Sequence, residues 1–90
     1  MYTVYEHKRV KLQIKKAPPD VKRKYMAWKR IMELEGQYGL SFIKGFHDEG
    51  LKGQWKGFRS SRLGLKWRVI YKIYKDDLEV YVIEINPHKY

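Results

Sequence analysis

The chain contains no cysteine. That excludes a disulfide framework, a thiolate metal site and a cysteine nucleophile, and it suits a cytoplasmic address. No apolar run approaches the roughly 18 residues that a membrane-crossing helix needs, so no membrane partner is expected. The first residues, Met1-Tyr2-Thr3-Val4-Tyr5-Glu6-His7, hold no apolar signal-peptide core, and no secretory leader is expected there. The three histidines, His7, His47 and His88, have none of the spacings of a metal motif. A glycine-rich nucleotide loop is missing too, because Gly50-Leu51-Lys52-Gly53 is too short and wrongly ordered. No metal and no cofactor is expected. Acidic residues are scarce: 10 Asp and Glu stand against 20 Lys and Arg, a net charge of +10. Such a balance points to a polyanionic partner.

What is present is enough for one folded unit. Ninety residues make a single domain spanning 1–90. High charge alone can mean disorder, but a hydrophobic fraction of 43% with 3 Trp and 8 Tyr supplies a core. Residues 1–5 alternate as a short strand. Residues 7–16 fit strand or helix, and their Lys and Gln content favours helix. Residues 19–35 are the clearest helix, with Val21, Tyr25, Trp28 and Ile31 or Met32 on one stripe. Pro18-Pro19 opens it, Asp20 suits the positive end of its dipole, and Gly36 closes it. Six of the seven glycines fall in residues 36–57, which read as a long, shaped loop.

The last third reads as β. Phe58–Leu63, Trp67–Tyr74 and Leu78–Ile85 are three strands joined by the turns Gly64-Leu65-Lys66 and Lys75-Asp76-Asp77. In the second strand Trp67, Val69, Tyr71 and Ile73 share one face, and Arg68, Ile70, Lys72 and Tyr74 the other. The expected fold class is α+β: an N-terminal strand and two helices packed on an antiparallel β-meander, with one sheet face left open.

The charge falls in two blocks. Lys8 to Arg30 holds ten cations and only Asp20, and reads as the polar face of helices. Residues 52–72 carry Lys52, Lys56, Arg59, Arg62, Lys66, Arg68 and Lys72 with no acidic residue among them. Antiparallel pairing would set Arg62 beside Arg68 on the open face. Like charges held so close repel unless an anion joins them, and paired guanidinium forks suit phosphate oxygens.

Glu49 lies in the glycine-rich loop just before this meander. His88 and Tyr90 follow Asn86-Pro87, which ends the last strand. A tail folded back over the meander would gather a carboxylate, two arginines, a histidine and a tyrosine. That set suits metal-free RNA cleavage. The ribose 2′-OH must lose a proton, the phosphorane oxygens need fixed cations, and the leaving 5′-oxygen needs a proton. Glu49 or His88 would be the base, Arg62 and Arg68 the charge stabilisers, and His88 or Tyr90 the acid. An aromatic tail also suits stacking on an RNA base.

Residues 46–74 resemble the core of the RelE/ParE superfamily of toxins from bacterial toxin–antitoxin systems. The shared pattern is a Leu51-Lys52-Gly53 loop, a Gly57-Phe58-Arg59 strand start, Arg62-Leu63, then Arg68-Val69-Ile70-Tyr71. The tail Glu84-Ile85-Asn86-Pro87-His88-Lys89-Tyr90 resembles the ending of HigB-like and YoeB-like members. The resemblance implies a RelE-like microbial RNase fold and a ribosome-dependent mRNA endonuclease that needs no metal. Its partners would be mRNA on the ribosome, ribosomal RNA and a cognate antitoxin. Glu49-Gly50-Leu51-Lys52 matches the Glu-x-Leu-Lys of the YoeB branch, whose Glu is a proposed base. Arg62 and Arg68 match that branch's two catalytic arginines. The tail departs from the branch, which ends in adjacent His-Tyr where this chain has His88-Lys89-Tyr90. RelE-like members use Lys in place of the carboxylate base, which keeps Lys52 and Lys56 as alternates. Lys52, Lys56, Arg59, Lys66 and Lys72 are the expected RNA and ribosome contacts. The antitoxin is expected to be small, acidic and partly disordered. Two other readings share the fold: a ParE-like inhibitor of DNA gyrase with no catalytic set, and a small RNA-binding module.

Overall fold

The computed structural model describes residues 1–87. Helix α2 (Pro19–Glu35) is the organising element. Its apolar residues recur every three or four positions, so Val21, Tyr25, Trp28 and Met32 are buried on one stripe. Pro19 occupies the first turn, where its missing N–H costs nothing, and Asp20 sits at the dipole's positive end. Gly36 stops the helix with φ +67°, donating its N–H to the Met32 carbonyl. A Cβ at Gly36 would lie 2.4 Å from the Tyr2 ring, so both the turn and the close approach require glycine.

Strands β1 (Thr3–Glu6), β2 (Glu49–Gly50), β3 (Arg59–Arg62), β4 (Trp67–Tyr74) and β5 (Glu79–Pro87) form a sheet in the order β1-β5-β4-β3-β2. The β2–β3–β4–β5 pairings are antiparallel, while β1 runs parallel to β5. Helices α1 (Lys8–Lys15) and α2 pack on one face of this sheet, as the α+β expectation had it. Trp28 lies against the Tyr71 ring edge-on at 5.2 Å and stacks on Tyr25 at 5.7 Å. Val69, Tyr71, Val80, Val82 and Ile85 complete the layer with Val10 from α1. Fully burying side chains of this size contributes roughly 1.5–3 kcal/mol each.

Several element bounds differ from the sequence expectation: the first strand is Thr3–Glu6 rather than 1–5, the first helix Lys8–Lys15 rather than 7–16, and the last strand runs on through Asn86-Pro87 instead of ending at Ile85. Residues 36–57 are not a plain loop: they hold a short helix α3 (Gln37–Leu40), two 3-10 turns (Lys44–Phe46 and Gly53–Trp55) and β2. Buried Leu40 and Phe46 anchor that segment, so packing, not local propensity, shapes it. The third meander strand begins at Glu79 rather than Leu78. Leu78 has φ +55°, a left-handed value that belongs to the turn. The first meander strand is Arg59–Arg62, shorter at each end than Phe58–Leu63. No helix of the described residues is long and apolar enough to cross a membrane.

Candidate active site

The sheet register builds the site. Glu49 on β2 pairs with Ser60 on β3, and Arg62 on β3 pairs with Arg68 on β4. Paired residues share a face, as do residues two apart on one strand. Glu49, Ser60, Arg62 and Arg68 therefore occupy one patch on the face the helices leave open. They line a cleft of about 80 Å³ together with His47, Leu65, Lys66 and Trp67. The space suits a phosphate-sized group rather than a cofactor.

Arg62 is exposed and Arg68 half-buried. The Nε of Arg68 is buried and has no hydrogen-bond partner among the described residues. A buried guanidinium donor without an acceptor costs roughly 1–3 kcal/mol, so this geometry favours a ligand oxygen. Neither arginine makes an ion pair among the described residues. The adjacent positions on β5 are Asn86, opposite Arg68, and Pro87, opposite Trp67. The end of β5 thus runs beside the cleft. His88 and Tyr90 lie outside the described residues.

The segment that carries Glu49 is held by its neighbour Asp48. The Asp48 Oδ2 accepts from Arg59 Nε at 3.0 Å and Arg59 Nη2 at 2.8 Å. Its Oδ1 accepts from Ser61 Oγ at 2.7 Å and from the Tyr71 hydroxyl at 2.6 Å. Ser61 in turn accepts from Trp28 Nε1 at 2.9 Å, which ties the network to α2. The Asp48 side chain is 7% exposed, so this is a desolvated carboxylate satisfied on both oxygens. Burial, and then the Asp48 charge and hydrogen bond, push the Tyr71 phenol far up. Burial works against the Arg59 charge, but the bond and charge of Asp48 outweigh it and hold its pKa above the ordinary value.

Glu49, Arg62, Arg68 and Lys66 meet in the cleft. Lys52 and Lys56 flank the second 3-10 turn, are exposed and lie outside the cleft lining. The charge of Arg59 is taken up by Asp48. Lys72 lies between the rings of Phe58 and Tyr74, at 5.3 and 5.4 Å.

Three participants were not assigned from sequence. His47 reaches the cleft because its backbone turns left-handed, φ 43°, between the first 3-10 turn and β2. Non-glycine residues adopt that conformation only in a few per cent of cases, and no spacing pattern announces it. Trp67 closes one wall while packing on the core. Asp48 finds its partners 11, 13 and 23 residues away, so only the folded chain reveals its role. Among the described residues no three His, Asp or Glu side chains gather into a metal cage.

No protein-family model matches the sequence, and no curated protein matches it. Solved structures do. An archaeal RelE from a RelE–RelB complex of Pyrococcus horikoshii is 27% identical, with a TM-score of 0.75 over 96% of this chain and 93% of its own. A YoeB/ParE toxin from Agrobacterium tumefaciens superposes with a TM-score of 0.75 at 17% identity, covering 99% of this chain and 100% of its own. A chain from the YoeB–YefM complex of Staphylococcus aureus gives 0.73 at 14% identity, with 99% of both chains covered.

Proposed function

From a chain with the fold of the RelE/ParE toxin superfamily, we propose an endoribonuclease toxin that cuts mRNA on the ribosome, in the cytoplasm, and is silenced by an antitoxin. One observation carries the reading: Glu49, Arg62 and Arg68 share one small cleft on the open sheet face. A carboxylate beside two unneutralised arginines is what a phosphodiester needs and what a purely structural surface avoids.

In the proposed reaction, Glu49 or His88 takes the proton of a ribose 2′-OH. The 2′-oxygen attacks the adjacent phosphorus and forms a 2′,3′-cyclic phosphate. The bond to the 5′-oxygen breaks, and that oxygen receives a proton. Arg62 and Arg68 hold the extra charge on the phosphorane oxygens, and Lys66 adds a third cation at the rim. His88 or Tyr90 supplies the leaving-group proton. His47 joins them as a donor because it lines the cleft. Lys52 and Lys56 are the alternates for the base and serve otherwise as ribosomal RNA contacts. None of these steps needs a metal or a cofactor.

The antitoxin partner follows from the Pyrococcus and Staphylococcus relatives, which are complexes with RelB and YefM. With a net charge of +10 on this chain, the partner is expected to be acidic. The test is a translating extract supplied with chelator. Wild-type protein is expected to leave cut mRNA, and Arg68→Ala to leave it intact. Equal mRNA survival with both proteins would refute the reading. Gyrase inhibition without mRNA cleavage would move the chain to the ParE-like alternative.

A further inference from the structure

The open sheet face carries a second feature away from the cleft. Tyr5 stacks on Tyr81 with centroids 5.0 Å apart and planes at 18°. Tyr81 meets Tyr74 edge-on at 5.6 Å. The Lys72 ammonium bridges Tyr74 to Phe58, and Phe58 meets Trp55 edge-on at 5.5 Å. The register explains the alignment. Lys72 pairs with Tyr81, Tyr81 pairs with Tyr5, and Lys72 and Tyr74 share the face of Arg68 on β4. Four of these rings stay substantially exposed: Tyr5 at 44%, Tyr74 at 41%, Tyr81 at 37% and Trp55 at 37%. Phe58, Lys72, Tyr74 and Tyr81 border a shallow depression of about 430 Å³.

We propose that this row is a stacking platform for single-stranded RNA, continuing the path of the strand whose phosphate lies in the cleft. The proposal rests on the endoribonuclease reading for its ligand. The chemistry selects that ligand. Exposed rings interleaved with a cation are how non-specific single-strand sites hold bases, because every base offers a π-face. Arg68 and Tyr74 lie six residues apart on one strand, about 20 Å, which suits a run of roughly four nucleotides. Asp77 and Glu79 border the same depression, and Glu79 accepts from the Tyr81 hydroxyl at 3.1 Å. Those carboxylates oppose an acidic protein segment. They also turn a phosphate backbone outward, leaving base faces against the rings. Duplex RNA hides its base faces and is expected to gain nothing here.

The experiment measures binding of a 2′-O-methyl single-stranded oligonucleotide, which cannot be cut, and of a hairpin duplex. Wild type is compared with Tyr74→Ala, Tyr81→Ala and their double variant, with thermal melting to confirm folding. Each exposed ring removed is expected to weaken single-strand binding about tenfold and to leave duplex binding within twofold. Single-strand binding unchanged in the double variant would overturn the proposal, as would equal loss for duplex. So would unchanged RNA binding with loss of a co-expressed antitoxin, which would make the surface a protein interface. If wild type cuts no mRNA yet shows the ring-dependent binding, the activity reading fails and the platform stands.

Discussion

Arg62 and Arg68 stand directly opposite one another across β3 and β4, two cations in register on the open face. Like charges so placed destabilise a strand pair by about 0.2–1 kcal/mol, whereas an opposite-charge pair stabilises it by a similar amount. A position under selection for stability alone would not keep both. Arg62→Glu is therefore expected to raise folding stability by about 0.5 kcal/mol. Under the proposed reaction, cleavage is expected to fall by about a hundredfold or more, because Arg62 would be a fixed cation at the phosphorane. Urea unfolding and a cleavage assay on the same preparation check both signs. A variant that loses stability and activity together would make the pair structural.

Asp48 sits between core and cleft, and its removal is expected to act on stability first. Asp48→Ala leaves Arg59 with a half-buried, uncompensated charge and takes the acceptor from Ser61 and Tyr71. A loss of about 3–5 kcal/mol is expected from such a broken pair. Asp48→Asn combined with Arg59→Gln removes both charges together. The double variant is expected to lose less than the sum of the single losses, since the second change relieves what the first leaves unpaired. Additive losses in chemical unfolding would show that the two residues do not act as a unit.

Alkaline pH tests the same network from another side. Tyr71 and Tyr25 both have phenol pKa values pushed well above the ordinary 10.0, burial being the largest cause in each. The unfolded chain ionises these phenols near pH 10 while the folded chain keeps them neutral. The stabilisation is thus complete below about pH 10 and is lost as pH climbs through the raised folded values. Unfolding midpoints are expected to fall steadily from about pH 9 upward. Tyr71→Phe is expected to flatten that fall while lowering stability at neutral pH, where the hydroxyl bond to Asp48 is missed. An identical slope in wild type and Tyr71→Phe would contradict this.

How far the sequence could be read depended on whether the information was local. The stripe of α2, its Pro19 start and its Gly36 stop are written in consecutive residues and were legible. The facing of Arg62 and Arg68 was legible too, because a tight turn and strand periodicity determine register. The parallel pairing of β1 with β5 was not, since it joins residues more than seventy positions apart. Residues 36–57 read as loop because glycine spacing dominates them, whereas Leu40 and Phe46 fold that stretch by burying themselves. The sequence marks Glu49 by its place before the basic meander, but not what holds it there. What holds it is Asp48, whose partners come from two other strands.

The exposed lysines around the cleft give the sharpest division between an RNA contact and a merely solvated cation. Neutralising a phosphate releases counterions, so log K for a single strand falls with log salt by about 0.7 for each contact. Lys52, Lys56 and Lys66 are exposed and make no ion pair among the described residues. Each Lys→Gln variant at these positions is expected to reduce the salt slope by about 0.7 and to leave unfolding midpoints unchanged. Arg59 is the contrasting case, because its guanidinium is already committed to Asp48. Arg59→Gln is expected to lower stability and to leave the slope nearly where it was. Binding titrations of a 2′-O-methyl strand across a salt series separate the two classes. A steep slope that none of the three lysines alters would transfer the electrostatic contact to the helical block between Lys8 and Arg30. A slope that drops with Arg59→Gln would mean its charge reaches RNA despite Asp48.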